Sequence, residues 1–141
     1  MRLLLERSQK MVSRGYRNCN PGNIRLSKTR YQGEIQPSAD HAFKQFQSMP
    51  WGFRAMFVIL RTYYNKYRLR TIRQIIHRWA PTAENDTEAY IRFVAKESGI
   101  GADEQVEFEA SMMVKIVAAM AQMENGGIPS LSDITRGWYL L

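Results

Sequence analysis

From Ser48 onward, apolar residues recur at three- and four-residue spacing, and only a helix gathers that period onto one face. Phe53, Met56, Phe57, Leu60, Tyr63, Tyr64 and Tyr67 form the first stripe. Ser48 stands ready to cap it, with Pro50 in the opening turn. Thr71 with Gln74 reads as a capping box for a helix carrying Ile72, Ile75, Ile76 and Trp79, ended by Pro81. Asn85 with Glu88 reads as a second box, opening a helix with Ala89, Tyr90, Phe93 and Val94 that stops near Gly99. A fourth helix is expected from about Glu104 to Met123, burying Phe108, Met112, Met113, Ile116, Val117 and Met120. Gly126 and Gly127 stop it, and Ser130–Gly137 reads as one more helical turn.

The stretch before Ser48 has a different grammar. Residues 14–25, RGYRNCNPGNIR, are dense in turn formers. Short apolar pieces follow at Ile24–Leu26, Tyr31, Ile35 and Ala42–Phe46, broken by Gly33 and Pro37. They read as an irregular β-hairpin or a three-stranded sheet. Residues 3–12 fit a short helix with Leu4, Leu5, Ser8 and Val12 on one side. The expected fold is therefore α+β and mainly helical. A single domain spans residues 14–141, behind an extension or short helix at 1–13, since 141 residues suit one core.

Composition removes several chemistries. One cysteine, Cys19, excludes an internal disulfide and a thiolate zinc cluster, and two histidines, His41 and His77, argue against a multi-His metal site. No metal and no cofactor are expected. No apolar run reaches the roughly 18–20 residues of a membrane span. Leu3, Leu4 and Leu5 are followed at once by Glu6, Arg7 and Lys10, too soon for a secretory core of roughly 7–15 apolar residues. The protein is thus expected to be made in the bacterial cytoplasm without a signal peptide and delivered by other means. Charge is lopsided: residues 1–78 hold 16 basic and 3 acidic side chains, residues 79–141 hold 4 and 10. The first half suggests an anionic partner, whether nucleic acid, anionic lipid or bacterial wall. A dipolar, solvated surface is the plainer alternative.

Three places carry candidate chemistry. Glu124 ends an apolar helix directly before Asn125-Gly126-Gly127. The negative end of a helix dipole and desolvation by Met120 and Met123 both penalise a charged carboxylate there. A carboxyl held as the acid near neutral pH is what a glycosidic leaving-group oxygen needs. The alternative is a solvated glutamate at a frayed helix end. Asn18, Asn20 and Asn23 crowd one turn, and asparagine matches both the hydroxyls and the N-acetyl amides of sugars. They also suit a turn held by their own side chains. Trp79 and Tyr90 flank a polar stretch that includes Asn85. Trp79 and Tyr90 read as core or as walls of a sugar cleft; Asn85 is accounted for as a cap, and Glu84 and Asp86 by the dipole of the helix they precede.

These stretches resemble a phage and prophage family of lysozyme-like, peptidoglycan-degrading proteins of the virion-structural or lytic-transglycosylase type. Arg14–Ile24 (RGYRNCNPGNI), Arg78–Tyr90 (RWAPTAENDTEAY) and Glu124–Pro129 (ENGGIP) carry the resemblance, which covers about residues 14–129. Cys19 stands where that family usually has Asn, and Tyr31 where Trp is usual. The resemblance implies a lysozyme-like fold and cleavage of the β-1,4 bond between N-acetylmuramic acid and N-acetylglucosamine. Bacterial peptidoglycan is then the implied partner, other virion proteins are further candidates, and nucleic acid is disfavoured. In wall-lytic relatives the acid precedes an Asn- and Gly-rich β-element. Here the Glu124 block follows it, so the order is read as circularly permuted, with Glu124 as general acid/base beside the Asn20 turn. Glu6 is the rival acid in conventional order. Asn18, Asn20, Asn23, Trp79, Asn85 and Tyr90 are the implied substrate-binding residues, with Tyr90 contacting sugar. A hydrolytic outcome requires a second carboxylate, roughly 6.5–9.5 Å away for inversion, and Glu34 then Asp40 are the candidates. The alternative function is a non-catalytic wall-binding or virion structural protein on the same fold.

Overall fold

In the computed structural model, which describes residues 12–141, the apolar period becomes helices whose ends are set by a few polar side chains. α1 (Arg14–Arg17) is a single turn in which Ser13 Oγ accepts from the Tyr16 N–H at 3.2 Å. β1 (Glu34–Ile35) and β2 (Gln45–Phe46) pair antiparallel, with Glu34 opposite Phe46, and an isolated bridge joins Arg25 to Phe43. α2 (Met49–Asn65), α3 (Ile72–Trp79), α4 (Thr87–Ser98), α5 (Ala110–Asn125) and α6 (Leu131–Tyr139) follow. Helix makes up 51% of the described residues against one two-stranded sheet, so the fold is mainly helical α+β. The expected helix at 3–12 lies outside the described residues.

Two helix starts differ from the sequence expectation. Asp86 caps α4, its Oδ1 accepting from the Ala89 N–H at 3.1 Å, so Asn85 is not the cap. A carboxylate there gains from the helix dipole as well as the hydrogen bond, which favours Asp over the neighbouring amide. α5 begins at Ala110 rather than near Glu104. The Val106 N–H donates to the Arg70 carbonyl at 2.8 Å, a cross-connection that a helical N–H in that segment would have to surrender. Thr71 does cap α3, at 3.1 Å from the Gln74 N–H. Gly126, at φ 81°, closes α5 in the left-handed region that favours glycine.

The helices share one core. Phe53, Met56, Phe57 and Leu60 of α2 lie buried in this core, where α2 packs against α6 and α5. Each such side chain contributes about 1.5–3 kcal/mol on leaving water. Trp138 of α6 meets Phe57 edge-on at 5.1 Å between ring centres. The stripe fades at the last turns of α2: Tyr63 is half-buried and Tyr67 exposed. Their rings instead carry guanidinium groups, with Arg78 lying 3.7 Å from the Tyr67 ring centre and Arg70 4.3 Å from that of Tyr64.

The hairpin has too little apolar surface to hold itself and is built around an ion pair. Lys44 is fully buried; its Nζ donates to both oxygens of Glu34, at 3.1 and 3.2 Å, and to the Thr29 carbonyl at 2.7 Å. Burial pushes the Glu34 carboxyl up. Donation from the Tyr31 N–H, Gln36 and Lys44 outweighs burial and holds it below the usual range. Asp40 is gripped by Arg14 at 2.6 and 2.7 Å and accepts from the Ala42 and Phe43 N–H groups. The Arg14 guanidinium, with those amides, keeps the Asp40 carboxyl well below the usual range. Among the described residues no helix is long and apolar enough to cross a membrane.

Both carboxyls titrate lower in the folded chain than in the unfolded one, so the unfolded chain binds more protons in acid. Stability is present above the unfolded carboxylate range, about pH 4, and is lost as pH falls through the folded values. Glu34→Gln strands the Lys44 ammonium without a counter-charge. We expect it to cost about 3–5 kcal/mol in urea unfolding at pH 7 and to flatten the acid limb of the stability curve. A midpoint equal to that of the parent at pH 7 would mean that the pair is dispensable.

Candidate active site

The Asn20–Asn23 turn and the end of α5 are far apart in the chain and adjacent in space. Asn20 is fully buried and closes the turn on itself. Its Oδ1 accepts from the Ile24 N–H, and its Nδ2 donates to the Ile24 and Lys44 carbonyls, each at 2.9 Å. Asn23 then projects from a left-handed backbone, φ 48°, which asparagine tolerates better than most residues. Its Nδ2 donates to Glu124 Oε1 at 3.1 Å. Asn125 clamps the same approach from the helix side, donating to the Pro21 carbonyl at 2.7 Å and accepting from Ser13 Oγ at 2.6 Å. Gly15 is what lets α1 come this close. A Cβ there would lie 2.5 Å from Asn125 Oδ1 and 2.7 Å from Asn23 Oδ1.

The other oxygen of Glu124 has two donors. Tyr90 OH donates to Oε2 at 2.9 Å and Trp79 Nε1 at 3.4 Å. Burial, then the Glu124 charge, pushes the Tyr90 phenol well above its ordinary value, so it remains a donor at any ordinary pH. Glu124 makes no ion pair among the described residues. It is a half-buried carboxyl held by three neutral donors on three different elements.

That carboxyl opens onto a cleft of about 350 Å³. The Gly22–Arg25 strand of chain and Phe43 form one wall, Ile59 and Tyr63 of α2 another, and Trp79, Pro81, Glu84 and Asn85 the third. The volume is at the small end for ligand sites and suits a short stretch of sugar.

The cleft gathers Asn23, Trp79, Asn85 and Glu124 from the sequence candidates. Asn85 donates only to the Pro81 carbonyl, at 3.1 Å, and leaves its Oδ1 facing solvent space. Asn18 and Asn20 are not there: Asn18 donates to Asp40 at 3.0 Å and Asn20 is spent within its turn. Both are structural. Tyr90 is buried behind Glu124 and positions it, so it offers no face to a sugar. Glu34 and Asp40 are tied to Lys44 and Arg14 and line a separate recess of the hairpin, which removes both as second carboxylates in this cleft. Glu6 lies outside the described residues. Cys19 sits at φ 51°, a conformation easier for asparagine, and burial pushes its thiol up, which suits no nucleophile.

Sequence reasoning overlooked Glu84, Arg25, Phe43 and Tyr63. Glu84 had a sufficient explanation in the dipole of the following helix, and Tyr63 in the apolar stripe.

No family model matches the chain. Over 131 residues it is 42% identical to Protein P5 of Pseudoalteromonas phage PM2, an alignment covering 90% of this chain and 81% of that protein.

The donor set around Glu124 is directly observable. In Glu124→Gln the Trp79 indole N–H resonance should move in a nitrogen–proton correlation spectrum, while those of Trp51 and Trp138 stay in place. A Trp79 signal indifferent to that substitution would mean that the indole does not touch Glu124.

Proposed function

The chain belongs to the family of Protein P5 of Pseudoalteromonas phage PM2, and on that premise we propose that it is a lysozyme-like enzyme that cuts bacterial peptidoglycan. The name of that relative states no activity, so the reading rests on the cleft. One observation carries it: a carboxyl at the end of a long helix, with no ion pair among the described residues, held by neutral donors and open to a cleft lined with amide and aromatic groups. Acid catalysis at a glycosidic bond needs that combination. The reading includes a lysozyme-like fold in permuted order, with the helix that delivers the acid coming after the Asn-rich turn.

The donors assign the two oxygens of Glu124 different work. Oε2 accepts from both Tyr90 and Trp79 and Oε1 from Asn23 alone, so Oε1 is the oxygen with room for the acid proton. Oε1 gives that proton to the oxygen linking the two sugars as the C1–O bond breaks. The carboxylate that remains faces the positive charge developing at C1 and the ring oxygen. It then takes the proton of the C6 hydroxyl as O6 bonds to C1, which restores the acid and leaves a 1,6-anhydro end. This transglycosylase outcome is favoured over hydrolysis because Lys44 and Arg14 occupy both carboxylates that a water-activating role first suggested. Glu84, on the cleft lip, is the group that hydrolysis would have to recruit. A phage relative fits a protein that meets the wall during entry or lysis.

Glu124→Gln should retain the fold and bind purified sacculi while releasing soluble fragments at least about 10²–10⁴-fold more slowly, the usual worth of a general acid. A variant that clears sacculi at the parental rate would remove Glu124 from catalysis. Sacculus binding by the parent with no fragments released would instead make the protein a wall-binding or virion structural one.

A further inference from the structure

The guanidinium groups near the cleft fall into two kinds. Arg14 and Arg73 spend their N–H edges on carboxylates, Arg14 on Asp40 and Arg73 on Asp103 and Glu88. Arg25 and Arg78 do not. Arg25 lies 5.3 Å from the ring centre of Phe43, and Arg78 lies 3.7 Å from that of Tyr67 and 5.5 Å from that of Tyr63. Neither side chain makes an ion pair among the described residues, and Arg78 also lies within hydrogen-bond reach of Tyr63. Phe43 and Tyr63 both line the cleft, and so does Arg25 itself. A guanidinium stacked on a ring has its face occupied and its orientation restrained, while its in-plane N–H groups remain free. Those edges match a carboxylate two bonds at a time.

We propose that Arg25 and Arg78 form an anion subsite for the carboxylates of the peptide arm carried by N-acetylmuramic acid, so that the cleft selects peptide-bearing glycan over bare glycan. The inference rests on the peptidoglycan reading and narrows its substrate. Apart from Arg25, the charged groups that line the cleft are Glu124 and Glu84, both of which repel anions. A peptide arm therefore finds its counter-charge at Arg25 in the cleft wall and at Arg78, which lies against the cleft residue Tyr63. The basic excess of residues 1–78 then has a local use at two positions rather than a diffuse one. Phosphate groups of anionic wall polymers share this oxyanion chemistry, and a phosphate probe separates the two sources.

The test is equilibrium binding to the full-length Glu124→Gln protein, in which no turnover disturbs the ligand. The probes are the N-acetylglucosaminyl-N-acetylmuramyl tetrapeptide, the same compound with its peptide carboxylates amidated, the bare disaccharide and glycerol phosphate. The charged tetrapeptide compound should bind about tenfold or more tightly than the amidated and bare ones. Adding Arg25→Gln and Arg78→Gln should bring that ratio close to one. Equal affinities for charged and bare disaccharide, or a preference that survives both substitutions, would overturn the proposal. So would binding of glycerol phosphate as tight as that of the charged peptide compound, or no binding of any probe. Fragment release from sacculi by the parental protein is measured separately, so failure of the subsite and failure of the enzyme reading give different results.

Discussion

Two asparagines bridging more than a hundred residues hold this molecule in a working shape. Asn23 reaches Glu124 and Asn125 reaches the Pro21 carbonyl, so the Asn20–Asn23 turn and the end of α5 become one wall. Amide groups suit this task because each both donates and accepts. The bonds, at 3.1 and 2.7 Å, are partly buried and bring in no cation. They fix Glu124 without supplying a cation that would hold it permanently ionised. A lysine or arginine at position 23 would tether the helix too, and on the proposed reading would take the carboxyl out of acid chemistry.

The rest of the structure protects that tie. Asn20 locks the turn from inside, and through the Lys44 carbonyl it connects the turn to the hairpin. The hairpin is shaped by the Lys44–Glu34 pair and by the grip of Arg14 on Asp40, which also anchors α1. Charges of the first half that look surplus in the sequence are thus partly internal struts. Tyr90 and Trp79 complete the support from α4 and from the end of α3, so Glu124 is steadied from both sides of the core.

The sequence made much of this legible. Phe53, Met56 and Phe57 announced α2, and Thr71 and Gly126 marked helix ends correctly, because burial and capping are local. Glu124 stood out because a carboxyl at the end of an apolar helix has little local reason to be there. What stayed hidden depended on partners distant in the chain. Asn18, Asn20 and Asn23 are alike in sequence, and only the fold makes Asn23 a neighbour of Glu124 while Asn20 closes the turn and Asn18 holds Asp40. Glu34 and Asp40 looked available because Lys44 and Arg14 are ten and twenty-six residues away from them. Tyr90 read as a wall of the cleft, whereas burial turned its hydroxyl toward the acid. The α5 start was misjudged because Val106 pairs with Arg70, a bond no helical pattern can announce.

The central claim is that Glu124 works alone at the scissile bond, giving and then retaking one proton. The product ends report on this directly. Sacculi digested in water enriched in the heavy isotope of oxygen, with the released fragments weighed by mass spectrometry, separate internal attack by the C6 hydroxyl from attack by water. The account predicts 1,6-anhydro muramyl ends without isotope. Muramyl ends that carry one heavy oxygen would contradict it, because a water molecule would then have been activated at C1 by a second group such as Glu84.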